Sequence, residues 1–200
     1  MQPSSVKPSS ASPFDASVGT GAAPAPEGTA GVGWVRRAST SVALLAIAVW
    51  LGGLLALGAV AAPVVFSVVP MPASADAMTI VFRRFDLVTL ACALVVLVAE
   101  AVGLLGSPRS ASPAIDRWRV LATLVACSLA TYEATAISPR IAALHHAGVV
   151  RGAGPEGMLL SRLHDVAEWC GKCELLLLVA IVVLHVAALS PARGKAANRG

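Results

Sequence analysis

From residue 38 to residue 75 the chain carries no charged side chain. A soluble helix keeps one polar face in water, so an uninterrupted apolar run of this length predicts burial in lipid. Three further apolar stretches follow at 87–105, 120–138 and about 168–189, each close to the roughly 20 residues that cross a ~30 Å hydrocarbon layer. Continuous greasy runs argue against the alternating pattern of a barrel. In hydrocarbon every backbone N–H and C=O must be satisfied internally, which leaves helices. The pattern predicts an all-α integral membrane four-helix bundle with a disordered N-terminal tail. The transmembrane domain spans 34–190, with helices at about 41–69, 86–106, 115–138 and 160–189.

Breaker residues set these boundaries. Thr40 or Ser41 is positioned to cap the first helix, and Pro70-Met71-Pro72 ends it. Pro63 falls inside this helix, where it removes one ladder bond and crowds the Ala59 carbonyl, so a bend is expected. Asp76, Arg83, Arg84 and Asp86 are expected in the following loop. Gly106-Ser107-Pro108 stops the second helix, Pro113 opens the third, and Pro139 bends or ends it before a loop over 140–155. Residues 1–33, rich in Ser, Pro, Ala and Gly, bury too little apolar surface to offset the entropy of ordering and read as a tail; 191–200 form a short basic tail.

Composition fits this picture, with 56% hydrophobic and 13% charged residues, which leaves no room for a separate soluble domain. The net charge of +4 does not call for a nucleic-acid partner, because basic residues flanking membrane spans set orientation and meet anionic head groups. With the N-terminus inside, Arg36, Arg37, Arg109, Arg117, Arg119, Arg193, Lys195 and Arg199 lie on the cytoplasmic side. Only Arg83, Arg84, Arg140, Arg151 and Arg162 lie outside, so both termini are expected in the cytoplasm of a cell-membrane protein. No short apolar core precedes a small-residue cleavage site before Trp34, so the first span is expected to act as an uncleaved insertion signal.

Ionisable groups at membrane depth are costly, so each is a functional candidate and needs a partner. Depth arithmetic pairs Glu100 of the second helix with His185 of the fourth. It also pairs Glu133 with Lys172, supported by Glu168 four residues before the lysine. These pairs read either as ion pairs that specify helix neighbours or as parts of a transport path. Ala48, Gly52 and Ala56 form a small-residue face expected to be a helix–helix contact and open to use in a homo-oligomer. Cys170-Gly171-Lys172-Cys173 is a C-x-x-C pattern, which in other settings supports disulfide exchange. Membrane thiol–quinone oxidoreductases related to vitamin K epoxide reductase use such a pair near the end of a helix. They also use a second cysteine pair in a loop, and here no loop holds one. His164, with Glu168, Cys170 and Cys173 nearby, offers metal-ligand types without the spacing of an established zinc motif. No cofactor is implied, and no soluble catalytic motif is present.

The order Trp50-Leu51-Gly52-Gly53, then Ala62-Pro63-Val64-Val65-Phe66, Val81-Phe82-Arg83-Arg84-Phe85, Ser138-Pro139-Arg140-Ile141 and Arg162-Leu163-His164 resembles the uncharacterised bacterial four-helix membrane family related to eukaryotic transmembrane protein 205. The resemblance covers about 34–189. It carries over Trp50, Gly53, Pro63, Phe66, Pro139 and His164 as motif positions, and does not include the Cys170/Cys173 pair. The eukaryotic relative is associated with platinum-drug tolerance, which implies a loose link to metal or drug handling. The W-x-G-G opening also resembles copper-resistance membrane domains, whose additional intramembrane histidines this chain lacks. The expectation is a membrane protein without enzymatic activity, handling a small solute, drug or metal. The alternatives are a thiol–quinone oxidoreductase using Cys170/Cys173 and a purely structural or interaction protein.

Overall fold

The computed structural model describes residues 28–105 and 113–189. Residues 1–27 of the tail expected over 1–33, the Gly106-Ser107-Pro108 stop and the basic tail at 191–200 lie outside the described residues. Among the described residues every element is helical. The first span is α1 (Gly28–Leu55), a π-helical segment π1 (Ala56–Ala61) and α2 (Ala62–Val68). The second is α3 (Ala73–Leu105). The third is α4 (Pro113–Tyr132), a second π segment π2 (Glu133–Ile137) and α5 (Ser138–His146), and the fourth is α6 (Gly154–Leu189).

The proline-bearing spans share one solution. Pro63 and Pro139 each lie at the first or second position of an α-helix that resumes after a π segment. Ala62 donates to the Leu57 carbonyl and Ser138 to the Glu133 carbonyl, both i→i−5 bonds. The wider turn takes up the bond and space that proline denies to the regular ladder, so neither helix ends. Pro139 therefore does not close the third span, which continues to His146.

Other boundaries also move outward. Helix α1 begins at Gly28, inside the stretch read as tail, and passes through Thr40 and Ser41, so neither acts as a cap. Ser39 Oγ instead donates to the Arg36 carbonyl at 3.0 Å within the helix. Helix α3 starts at Ala73, which places Asp76, Arg83, Arg84 and Asp86 in the helix rather than in a loop. No breaker stands between Pro72 and Gly103, and once nucleated a helix propagates cheaply. Helix α5 ends at a glycine: Gly148, at φ 73°, donates to the His145 carbonyl at 2.9 Å, and Val149 donates to Leu144 at 3.1 Å. This left-handed position suits glycine and reverses the chain into α6.

Helix α1 packs on α3 and α6, and α4 packs on the same two, so the four spans form a ring in sequence order. The connections over 69–72 and 147–153 are too short for anything but antiparallel neighbours. All four spans are long and apolar enough to cross a membrane, yet only 22–33% of each one's most apolar window is buried. Leu45, Val98, Leu124 and Val183 are among the large apolar side chains that point outward. A bundle that greasy on its outside is solvated by lipid, and the chain is a multi-pass membrane protein.

Candidate functional site

The inward faces follow helical phase. On α6 the buried positions Leu160, Leu163, Cys170, Glu174, Leu178, Ile181 and His185 recur at steps of three, four and seven residues. On α3 Thr89, Cys92, Ala93, Val96, Ala99 and Glu100 do the same, and on α1 Ala43, Ala46, Ile47 and Trp50. Where these stripes meet, Trp50 is 1% exposed and packs in a core with Cys92, Ala93, Val96, Ala126, Cys127, Ala130, Leu178 and Ile181. Alanines at four-residue spacing on α4 leave room for the indole. Below it, the Phe85 ring lies over Gly53 so closely that a Cβ there would overlap Phe85 Cε2. Only glycine admits that contact without displacement of the ring.

At mid-bundle the Trp50 indole N–H donates to Glu174 Oε2 at 3.2 Å. Glu174 is 2% exposed, and its other oxygen, Oε1, is buried without a hydrogen-bond partner. Two half-buried carboxylates, Glu133 at the start of π2 and Asp86 of α3, are within electrostatic reach of it and of each other. Ser138 and Arg83 are the polar neighbours of Asp86. Among the described residues no ion pair involves Asp86, Glu133 or Glu174.

A second polar layer lies toward the end where α1 and α4 begin, and there the charges are matched. Glu100 Oε1 lies 3.2 Å from His185 Nε2. The carboxylate also accepts from Arg119 Nε at 3.0 and 3.2 Å and from Arg119 Nη2 at 3.0 Å, while Arg119 Nη1 reaches Asp116 at 3.1 Å. His185 Nδ1 is 2.9 Å from the Ile181 carbonyl, which a ring N–H satisfies. The fork of Arg119 engages Glu100 through two nitrogens, the geometry that makes arginine suited to desolvated carboxylates.

The other expected pair does not form. Lys172 bonds Glu168 at 2.6 Å on its own helix, stands 5.3 Å from the Trp169 ring, and is more than half exposed, as is Glu168. Phase explains this, since 168 and 172 fall between the buried stripe positions of α6 and face outward while Glu133 faces in. The same reasoning corrects the small-residue face. Ala48, Gly52 and Ala56 are all exposed, and nothing lies within 4 Å of a Cβ built at Gly52, so among the described residues no neighbouring helix covers this face. Cys170 is buried and Cys173 exposed, and both are free thiols, as are Cys92 and Cys127.

The motif positions scatter. Trp50 and Gly53 build the centre, Pro63 and Pro139 follow the π segments, and Phe66 points outward at 53% exposure. His164 stacks edge-on with His145 at 5.7 Å between centroids, with its Nδ1 2.9 Å from the Leu160 carbonyl. Among the described residues no group of three or more His, Cys, Asp or Glu side chains is arranged to hold a metal ion.

Sequence reading missed Glu174, Asp86 and the role of Arg119. A signal existed: Glu174 lies four, seven and eleven residues before Leu178, Ile181 and His185, and Asp86 lies three, seven, ten and fourteen before Thr89, Ala93, Val96 and Glu100. Both carboxylates therefore share the inward phase of groups already recognised.

Comparison with curated proteins and with solved structures returns no match. A family model matches residues 45–149. That segment holds Trp50, Gly53, Asp86, Glu100, Arg119 and Glu133, whereas Glu174, His185 and the cysteine pair lie beyond it. The chain belongs to the family DUF4149, a domain of unknown function.

Proposed function

We propose that this chain is a cell-membrane protein, with both termini cytoplasmic, that binds and handles a small solute, drug or metal within the bilayer. The reading carries with it a bacterial origin, kinship with eukaryotic transmembrane protein 205, and a layout of tail, transmembrane domain and short basic tail. One observation carries it: Asp86, Glu133 and Glu174 converge inside the spans without an ion pair, whereas Glu100, Arg119, Asp116 and His185 are matched. A bundle selected only for packing has no use for carboxylates without an ion pair at that depth, since apolar residues of similar volume would be more stable.

The thiol–quinone alternative finds less support, because Cys170 faces the core and Cys173 faces outward, so the pair does not present one reactive edge. A homo-oligomer through Ala48, Gly52 and Ala56 is supported by the outward direction of that face. Reconstitution tests the main reading. Vesicles containing the protein should release entrapped copper or zinc salts, a platinum complex or a cationic dye faster than empty vesicles. Equal release for every member of the panel, together with an unchanged stress phenotype on deletion, overturns it. Cysteine labelling of residues 114 and 148 tests the orientation, with 114 expected inside and 148 outside.

A further inference from the structure

We propose that Glu174 is an intramembrane proton-binding site, set between Trp50 and the carboxylates of Asp86 and Glu133. This deepens the solute-handling reading, on which its purpose rests, by naming the ion the bundle exchanges. Glu174 is 2% exposed, one oxygen is held by the Trp50 indole N–H at 3.2 Å, and Oε1 has no donor facing it. The indole bond fixes the carboxyl, so Oε1 cannot turn to water without breaking it.

Among the described residues the charged groups that act on Glu174 are carboxylates, and thiols lie within its field. Glu133 comes from π2, Asp86 from α3, Cys127 from α4 and Cys170 from the same helix. Helix α1 contributes only the neutral Trp50. The cation Arg83 acts on Asp86. A carboxylate desolvated among like charges and lacking a cation takes up a positive charge or is expelled from the interior.

The class of that charge follows from geometry. A metal ion needs several ligands around one point, and no such group exists among the described residues. Oε1 is also closed off from solvent. A proton needs one oxygen and no coordination shell. Glu133 begins the π segment whose widened turn precedes Pro139. Such π turns recur at functional sites, and this one places a second carboxylate within the field of Glu174.

The test is infrared difference spectroscopy on the full chain in lipid vesicles at neutral pH. The expected result is a protonated-carboxyl stretch that shifts on deuteration and on labelling with carbon-13 glutamate, and that is lost in Glu174→Gln. If Glu174→Gln fails to fold, Glu174→Asp should move the band out of the glutamate-labelled set. A spectrum with no glutamate-derived acid band, or one unchanged in both variants, overturns the inference. So does disappearance of the band on adding sodium, potassium, magnesium or calcium chloride, which would make the site one for a metal cation. Because this readout requires no solute, a negative result leaves the vesicle-release experiment to decide the broader reading separately.

Discussion

Replacing Arg119 by leucine strips Glu100 of three hydrogen-bond contacts and leaves a carboxylate, 7% exposed, facing His185 alone. Summing charge-assisted bonds at about 1.5–3 kcal/mol each overshoots, because all three share one carboxylate and one guanidinium. Removing one partner of a buried pair costs about 3–5 kcal/mol. Arg119 is 15% exposed and so partly screened, which places the loss at the lower end, ~3 kcal/mol. That corresponds to about 100-fold in the unfolding equilibrium constant. The assay is reversible unfolding in mixed detergent and denaturing micelles, followed by circular dichroism. The decisive comparison is Arg119→Leu with Glu100→Leu added. Removing both charges should restore at least ~1.5 kcal/mol, because the single variant's cost is mainly the unpaired carboxylate. Asp116 is 22% exposed and can turn toward water. A single-variant loss below about 0.5 kcal/mol, or a double variant no better than the single, would refute the view that this layer is a matched, desolvated network.

Gly53→Ala should cost about 1–3 kcal/mol by overpacking against Phe85, and adding Phe85→Leu should recover part of it; an unaffected melting curve for the single variant counts against the contact. Trp50→Phe removes the donor to Glu174 Oε2 and should cost about 1–3 kcal/mol beyond the change in packing, read by the same unfolding assay against Trp50→Phe/Glu174→Leu, which should be the more stable of the two because it leaves no buried polar group unpaired. Lys172→Met touches only an exposed pair and should change stability by less than about 0.5 kcal/mol; a larger loss would mean that Lys172 reaches the interior after all.

The sequence by itself determined the solvent and the element type. A run without charge over residues 38–75 and three more apolar stretches admit only lipid-buried helices, because hydrocarbon leaves no other way to satisfy the backbone. It also determined, through helical phase, which side chains point inward. Glu174 and Asp86 were legible in this way, and the outward direction of Lys172, Glu168 and the Ala48/Gly52/Ala56 face was equally legible. Depth alone placed Glu133 level with Lys172, and phase decides against that pair. Only the tertiary structure decided which inward groups meet. Arg119 lies six residues after the start of α4 and reads from sequence as a flanking charge, yet its long side chain reaches back to Glu100 across the α3–α4 contact. Trp50 and Glu174 stand 124 positions apart, and no local pattern links them. Their bond exists because α1 and α6 are neighbours in the ring, and the alanines facing them leave a space that an indole fills.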